Sequence, residues 1–339
     1  IGIWASCNAL AWLIGPTFGG LIVGQYGWRA VFLIVVPIAL VAAAVTLVQI
    51  ADGRRAPRRT IDVKGQILGA LTLGAFAFGF IEAPHWGWTS AQTIACLIAA
   101  PATLVAFVVA ERRAHEPLLP LGIFGTVTFT AASGVAAAMT FGMYAMLFLM
   151  PLYLQTVHGS SAPIVGLQML PMSVAFFAVS QWSGSLVARV GARAMMTTGM
   201  AAMGAGLLLL LSTIGPHASL SRVELAFLII GLGLGLNTGP VLSVAVTVAP
   251  KSYSGTASSV INTARMVGAT LGVALLGGLF AMYAGNDPSS AEAIVAGVRP
   301  AMLGGAIAEG LGAILAFLAI PTAALASRGD VRLISASSE

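Results

Sequence analysis

Gly15-Pro16-Thr17-Phe18-Gly19-Gly20 lies inside an apolar run that starts at Ile1 and ends near Gly24. Pro16 would break a water-exposed helix, and glycines at this density would weaken it. A helix packed within a membrane tolerates both, because neighbouring groups satisfy the freed carbonyl. Ala11, Gly15 and Gly19 recur at every fourth position, which puts them on one face. Gly20 and Gly24 continue a second row. Such rows let another helix backbone approach closely. The stretch therefore reads as a helix–helix seam inside a bilayer.

Composition agrees. Of 339 residues, 58% are hydrophobic and only 8% are charged, and the mean hydropathy is +0.96. A soluble domain carries about 25% charged residues. The net charge of +5 does not point to nucleic acid, because the basic residues sit in short loops between apolar runs, as orientation signals do. The expected partner is the lipid bilayer. Cys7 and Cys96 fall in apolar stretches and read as small buried hydrophobes, with no disulfide or metal site. His85, His115, His158 and His217 all fall in predicted loops. The sequence offers no catalytic triad, metal cluster or Walker motif, so neither an enzyme nor a cofactor is expected. Gly231-Leu232-Gly233-Leu234-Gly235 is not preceded by a strand. With Gly239 it reads as a second close-packing seam.

A membrane-crossing helix needs about 20 apolar residues. Ten stretches qualify: about 2–24, 30–50, 64–82, 91–110, 128–156, 162–188, 194–213, 222–248, 255–283 and 301–326. With residue 1 cytoplasmic, the inside loops and tail collect Arg54, Arg55, Arg58, Arg59, Lys64, Arg112, Arg113, Arg189, Arg193, Lys251, Arg328 and Arg332. The outside loops hold only Arg29, Arg222 and Arg299. That asymmetry fixes the orientation, with both ends inside.

Arg265 is left within a span, about 15 Å deep at 1.5 Å per residue. Asn262 lies three residues earlier, on the same face. A charge at that depth faces the bundle interior or a pathway. Glu309 is the acid well inside the last span, at a matching depth, so it stands as either a proton-carrying acid or the ion-pair partner of Arg265. Met139, Met143, Met146 and Met150 form a stripe on the fifth span. Methionine suits either a cavity for varied apolar ligands or ordinary packing.

Several of these stretches carry a family resemblance. Gly15-Pro16-x-x-Gly19-Gly20, followed by Gly27-Trp28-Arg29-Ala30-Val31-Phe32 and Pro37, resembles the antiporter motif at the fifth span of the major facilitator superfamily, and more narrowly its fourteen-span drug:proton antiporters. Pro151-Leu152-Tyr153-Leu154-Gln155 is similar to the signature near the end of the ninth span. Gly184 through Arg189, Gly191 and Arg193 resemble the second copy of the cytoplasmic loop motif, with Ala188 standing where that motif often carries an acid. Gly255-Thr256-Ala257-Ser258-Ser259 through Asn262, Arg265 and Gly268 resemble the thirteenth span.

The resemblance implies an all-α integral membrane bundle, with about ten helices present of fourteen. Ile1 opens the chain with an apolar run already under way, which reads as a chain lacking its beginning. Residues 1–50 would then end the N-terminal bundle, 51–127 would be an inserted pair, 128–327 the C-terminal six-helix bundle and 328–339 a cytoplasmic tail. The expected activity is proton-driven export of hydrophobic or amphipathic compounds across the cell membrane by alternating access. Protons and the small substrate would be its partners. The coupling acid of the family would precede residue 1. The alternatives weighed are a channel, which wants matching polar rings, a non-catalytic membrane scaffold and an inactive piece of a transporter.

Overall fold

The computed structural model is helical throughout. It describes residues 2–49, 62–114, 117, 119, 121–216, 218–250, 253–285 and 290–322, without the side chains of 2–9, 12, 13 and 16. The helices are α1 (Gly2–Tyr26), α2 (Trp28–Gln49), α3 (Val63–Trp86), α4 (Ala91–Arg113), α5 (Val127–Thr156), α6 (Ala162–Gln168), α7 (Leu170–Val190), α8 (Ala192–Thr213), α9 (Leu220–Val248), α10 (Ser254–Ala284) and α11 (Ala291–Ala319). Counting α6–α7 as one, nine of those described are long and apolar enough to cross a membrane. The seam helix α1 is a further 25 residues of helix. The basic loop of Arg54, Arg55, Arg58 and Arg59 lies outside the described residues, as do His115, His217, Lys251 and the tail with Arg328 and Arg332.

Local chemistry sets the ends. Asp62, Ser90 and Ser290 cap α3, α4 and α11 by accepting from backbone N–H groups of the first turn. Gly27 (φ 78°) makes the one-residue turn between α1 and α2, and Gly191 (φ 88°) does the same between α7 and α8. Both sit in the left-handed region that a side chain disfavours.

Helices α5 to α11 pack around a shared core. Antiparallel α8 and α9 meet where Gly199 approaches the Gly233 carbonyl, and Gly206 approaches Ala226 and Ile230. Parallel α7 and α9 meet along Gly231, Gly235 and Gly239, which lie against Met172, Val179 and Ser183. The glycine run of α9 is thus a packing seam. On the other side, Gly268 and Gly272 of α10 rest on the carbonyls of Ala137 and Phe141 in α5, leaving no room for a Cβ. The α3–α4 hairpin is held through Gly79 and Cys96, and α3 packs on α10.

The last span differs from its expected bounds of 301–326. It starts at the Ser290 cap and ends at Ala319, so Arg299 and Pro300 are helical instead of forming a loop. A proline inside a packed membrane helix is tolerated because neighbours cover the freed carbonyl. His85 likewise falls in the last turn of α3, not in a loop. The sixth span is broken at Met169, between α6 and α7, with Pro171 in the first turn of the second piece.

Candidate functional site

The polar groups of α10 divide between two faces. Ser259, Asn262 and Thr263 are exposed, and their side chains bond the carbonyls one turn back at 3.1, 3.2 and 2.9 Å. Arg265 is half-buried beside them. Its carbonyl accepts a 2.6 Å hydrogen bond from Thr140 Oγ of α5, and Tyr144 of α5 is an electrostatic neighbour of its guanidinium. The Arg265 Nε atom has no hydrogen-bond partner among the described residues.

Glu309 lies in a different place. It is fully buried, and neither carboxylate oxygen has a hydrogen-bond partner among the described residues. A Cβ on Gly142 of α5 would sit 3.0 Å from its Oε1, and a Cβ on Gly204 of α8 would sit 3.5 Å from its Cβ. The ion-pair alternative is therefore not formed among the described residues. Arg265 and Glu309 each lie about 6 Å from the middle of their helices, towards the same side of the bundle. They share a depth, but Glu309 points into the α5–α8–α11 seam while Arg265 stands beside Thr140 and Tyr144.

The methionine stripe is core. Met139, Met143, Met146 and Met150 are each 0 or 1% exposed and pack with buried residues of α8 and α9. Two cavities stand elsewhere. One of about 310 Å³ is walled by α5, α10 and α11 around Ala138, Gly268 and Gly312. The other, of about 330 Å³, lies where α9 ends and α10 begins, around Ile123, Val248 and Tyr253. No methionine of the stripe lines either one. In this structure the four side chains are packed against α8 and α9.

The α1 seam is engaged by one of its two glycine rows. A Cβ on Gly20 would lie 2.5 Å from the Ala162 carbonyl oxygen, and one on Gly24 would lie 2.8 Å from Pro163 Cγ. Gly15 and Gly19 have no described atom within 4 Å of a Cβ position. The side chain of Pro16 lies outside the described residues. In the loop motif, Gly184 and Arg189 are exposed. Arg193 donates to Thr322 Oγ at 3.0 Å and stacks on Phe317 with its guanidinium carbon 4.3 Å from the ring centre. It ties the start of α8 to the end of α11.

Two polar clusters were not anticipated. Tyr153 donates to the Gly215 carbonyl at 2.9 Å, and His158 Nε2 is 3.2 Å from the same hydroxyl. Burial pushes the His158 imidazole below its usual value. At the other end, buried Glu111 accepts from the Leu119 N–H at 2.9 Å, while one oxygen each of Glu111 and Asp62 crowds the Cβ position of Gly65. The sequence carries a signal for Asp62 alone, which immediately precedes an apolar run as an N-cap does.

These features define a multi-pass helical membrane protein whose polar groups sit on its spans. The profile of the Major Facilitator Superfamily matches residues 1–273, and the chain belongs to that superfamily. It is accordingly a transporter-family protein of the membrane, not an enzyme. The chain is 35% identical over 283 residues to the multidrug resistance protein Stp of Mycobacterium tuberculosis, covering 84% of this chain and 52% of that protein. It is 35% identical over 288 residues to the tetracenomycin C resistance and export protein of Streptomyces glaucescens, covering 84% and 53%. It is 31% identical over 291 residues to the multidrug transporter protein MdtP of Bacillus subtilis, again covering 84% and 53%. The chain spans about half the length of these relatives. A solved bacterial homologue of the human lysosomal transporter Spinster superposes with a TM-score of 0.49 at 18% identity, covering 94% of this chain and 84% of that one. The fold assignment rests on the family match and the helices themselves.

Proposed function

We propose that this chain carries the C-terminal bundle of a proton-driven exporter of hydrophobic or amphipathic compounds. Residues 128–327 would form that bundle, 1–50 would belong to the opposite one and 51–127 would be the inserted pair. The carrying observation is the open polar stripe of Ser259, Asn262 and Thr263 on α10, with Arg265 beside it. Lipid is a poor solvent for an amide and a guanidinium, so this face fits the wall of a polar pathway. The contact of Gly20 with Ala162 fits an interface between two bundles, where rocking would open and close access. The relatives carry resistance and export in their names, which supports the substrate class.

The test is flux in proteoliposomes holding the full-length protein, across a panel of lipophilic cations and neutral drugs. Uptake into vesicles that rises with an imposed proton gradient and collapses with a protonophore is expected. Substrate-independent ionic current, or no flux with any compound, would overturn the reading.

A further inference from the structure

We propose that Glu309 is an exchangeable proton site, built into the seam between α5, α8 and α11 and separate from the polar stripe of α10. The inference deepens the export reading and rests on it only for the site's use in coupling. The seam is made of backbone. Gly142 of α5 and Gly305 of α11 face each other so closely that a Cβ on either would lie 3.2 Å from the other's Cα. Gly204 of α8 closes the third side. Glu309 projects among these glycines with 0% exposure and with both oxygens unpartnered among the described residues.

Among the described residues, no charged or titratable group of the surrounding helices bonds the Glu309 carboxyl. Helix α8 carries Arg193, which bonds Thr322 and lies about 16 Å along the helix from Gly204. Helix α5 carries Tyr153, bonded to Gly215, and Tyr144, beside Arg265. Helix α10 carries Arg265 and Tyr283, and α11 itself carries Glu292 and Arg299, at least ten residues away. An ionised carboxylate in the seam would have neither cation nor donor among the described residues, and an uncompensated buried charge is strongly disfavoured. A packing role does not ask for an acid there, since leucine or glutamine would fill the volume without that cost.

The seam also has room to change. An apolar groove of about 310 Å³, open at the surface, runs beside it between α5, α10 and α11 and is bounded by Ala138, Ala308 and Gly312. A small shift of α11 into that space would let water reach the carboxyl. The neutral acid would then release its proton to that water and leave a carboxylate. Reprotonation from the opposite side would restore the closed seam. The proton count balances without any further group.

The experiment uses the full-length protein in liposomes and dicyclohexylcarbodiimide, which attacks protonated carboxyls in apolar surroundings. Glu309 should be labelled, as read by peptide mass spectrometry. The label should fall as the reaction is carried from about pH 5 to about pH 9, because only the protonated carboxyl reacts. No label, or a strong label flat across that range, would overturn the proposal; the flat label would mean a permanently neutral acid. A second arm reads coupling. Glu309→Gln should lose at least about tenfold of the uptake driven by a proton gradient, with Glu309→Asp retaining part of it. Wild-type uptake by Glu309→Gln would remove the site from coupling and overturn the proposal as stated. A titrating label in a wild-type protein that moves no drug would instead support the proton site while refuting the export reading.

Discussion

Thr140 of α5 donates a 2.6 Å hydrogen bond to the carbonyl of Arg265 in α10. The backbone beneath the arginine is therefore anchored, while its Nε has no described hydrogen-bond partner. The anchor repeats upward along the two parallel helices, where Gly268 and Gly272 sit on the carbonyls of Ala137 and Phe141. Helices α5 and α10 form one stiff unit. Gly268→Ala should accordingly depress folded protein in the membrane sharply, because the new methyl meets backbone that cannot move aside. Thr140→Val should cost only about 0.5–1.5 kcal/mol. Gly277→Ala should be neutral, since a Cβ there meets nothing within 4 Å. Detergent-extracted yield and melting temperature check all three, and equal behaviour of the Gly268 and Gly277 changes would refute the stiff unit.

Arg265→Ala should abolish export at normal membrane abundance. The structure offers Glu309 no contact with it, so adding Glu309→Ala should not restore activity. Arg265→Lys should rescue only in part, because the point charge remains while the planar fork is lost. Export normalised to protein in the membrane decides the matter. Full recovery in the double variant would make the two residues a structural pair after all.

The cluster of Tyr153, His158 and Gly215 predicts a pH effect of definite sign. The folded state holds His158 below its usual value, so below about pH 6.5 the unfolded chain binds the extra proton more readily. Stability from this group is full at neutral pH and falls as pH drops from there through the lower folded value. His158→Gln should flatten that part of the melting-temperature curve. Tyr153→Phe should lower stability at every pH by about 0.5–1.5 kcal/mol, the worth of a typical hydrogen bond. An unchanged acid slope in His158→Gln would assign the effect to another group.

Much of the fold was readable because a bilayer restricts the alternatives. Length of apolar run and glycine spacing place the helices, and the α9 glycines do pack against α7 and α8. What failed needed the neighbours. Arg299-Pro300 looked like a loop because charge and proline together usually end a span, yet the Ser290 cap starts α11 well before them. Spacing could show that the four methionines share a face of α5, but not whether that face meets a cavity or another helix. It meets α8 and α9, so Met143→Leu with Met146→Leu should cost less than about 1.5 kcal/mol and leave the range of exported compounds unchanged. An altered range on a substrate panel would return those side chains to the pathway. Depth matched Arg265 with Glu309, and depth alone does not tell which face of a helix a side chain uses.

The α1 seam separates two glycine rows that sequence treats alike. Gly20 and Gly24 press on Ala162 and Pro163 of α6, whereas Gly15 and Gly19 meet no described atom within 4 Å. A side chain at Gly20 would strike the Ala162 carbonyl, which is backbone at the first residue of α6 and not the far end of a flexible side chain. Gly20→Leu should push α1 from α6 and hold this end of the interface open. The same change at Gly19 projects into space that no described residue occupies. Two measurements follow in the full-length protein. Export by Gly20→Leu should fall at least about tenfold, the loss expected when a conformational step stalls. A cysteine placed at Ser161, beside the contact, should react faster with a membrane-impermeant maleimide in Gly20→Leu than in the otherwise native protein. Gly19→Leu should leave that reactivity unchanged. If the two leucine variants expose Ser161→Cys equally, the contact between Gly20 and Ala162 does not govern access, and α1 is only a packing helix.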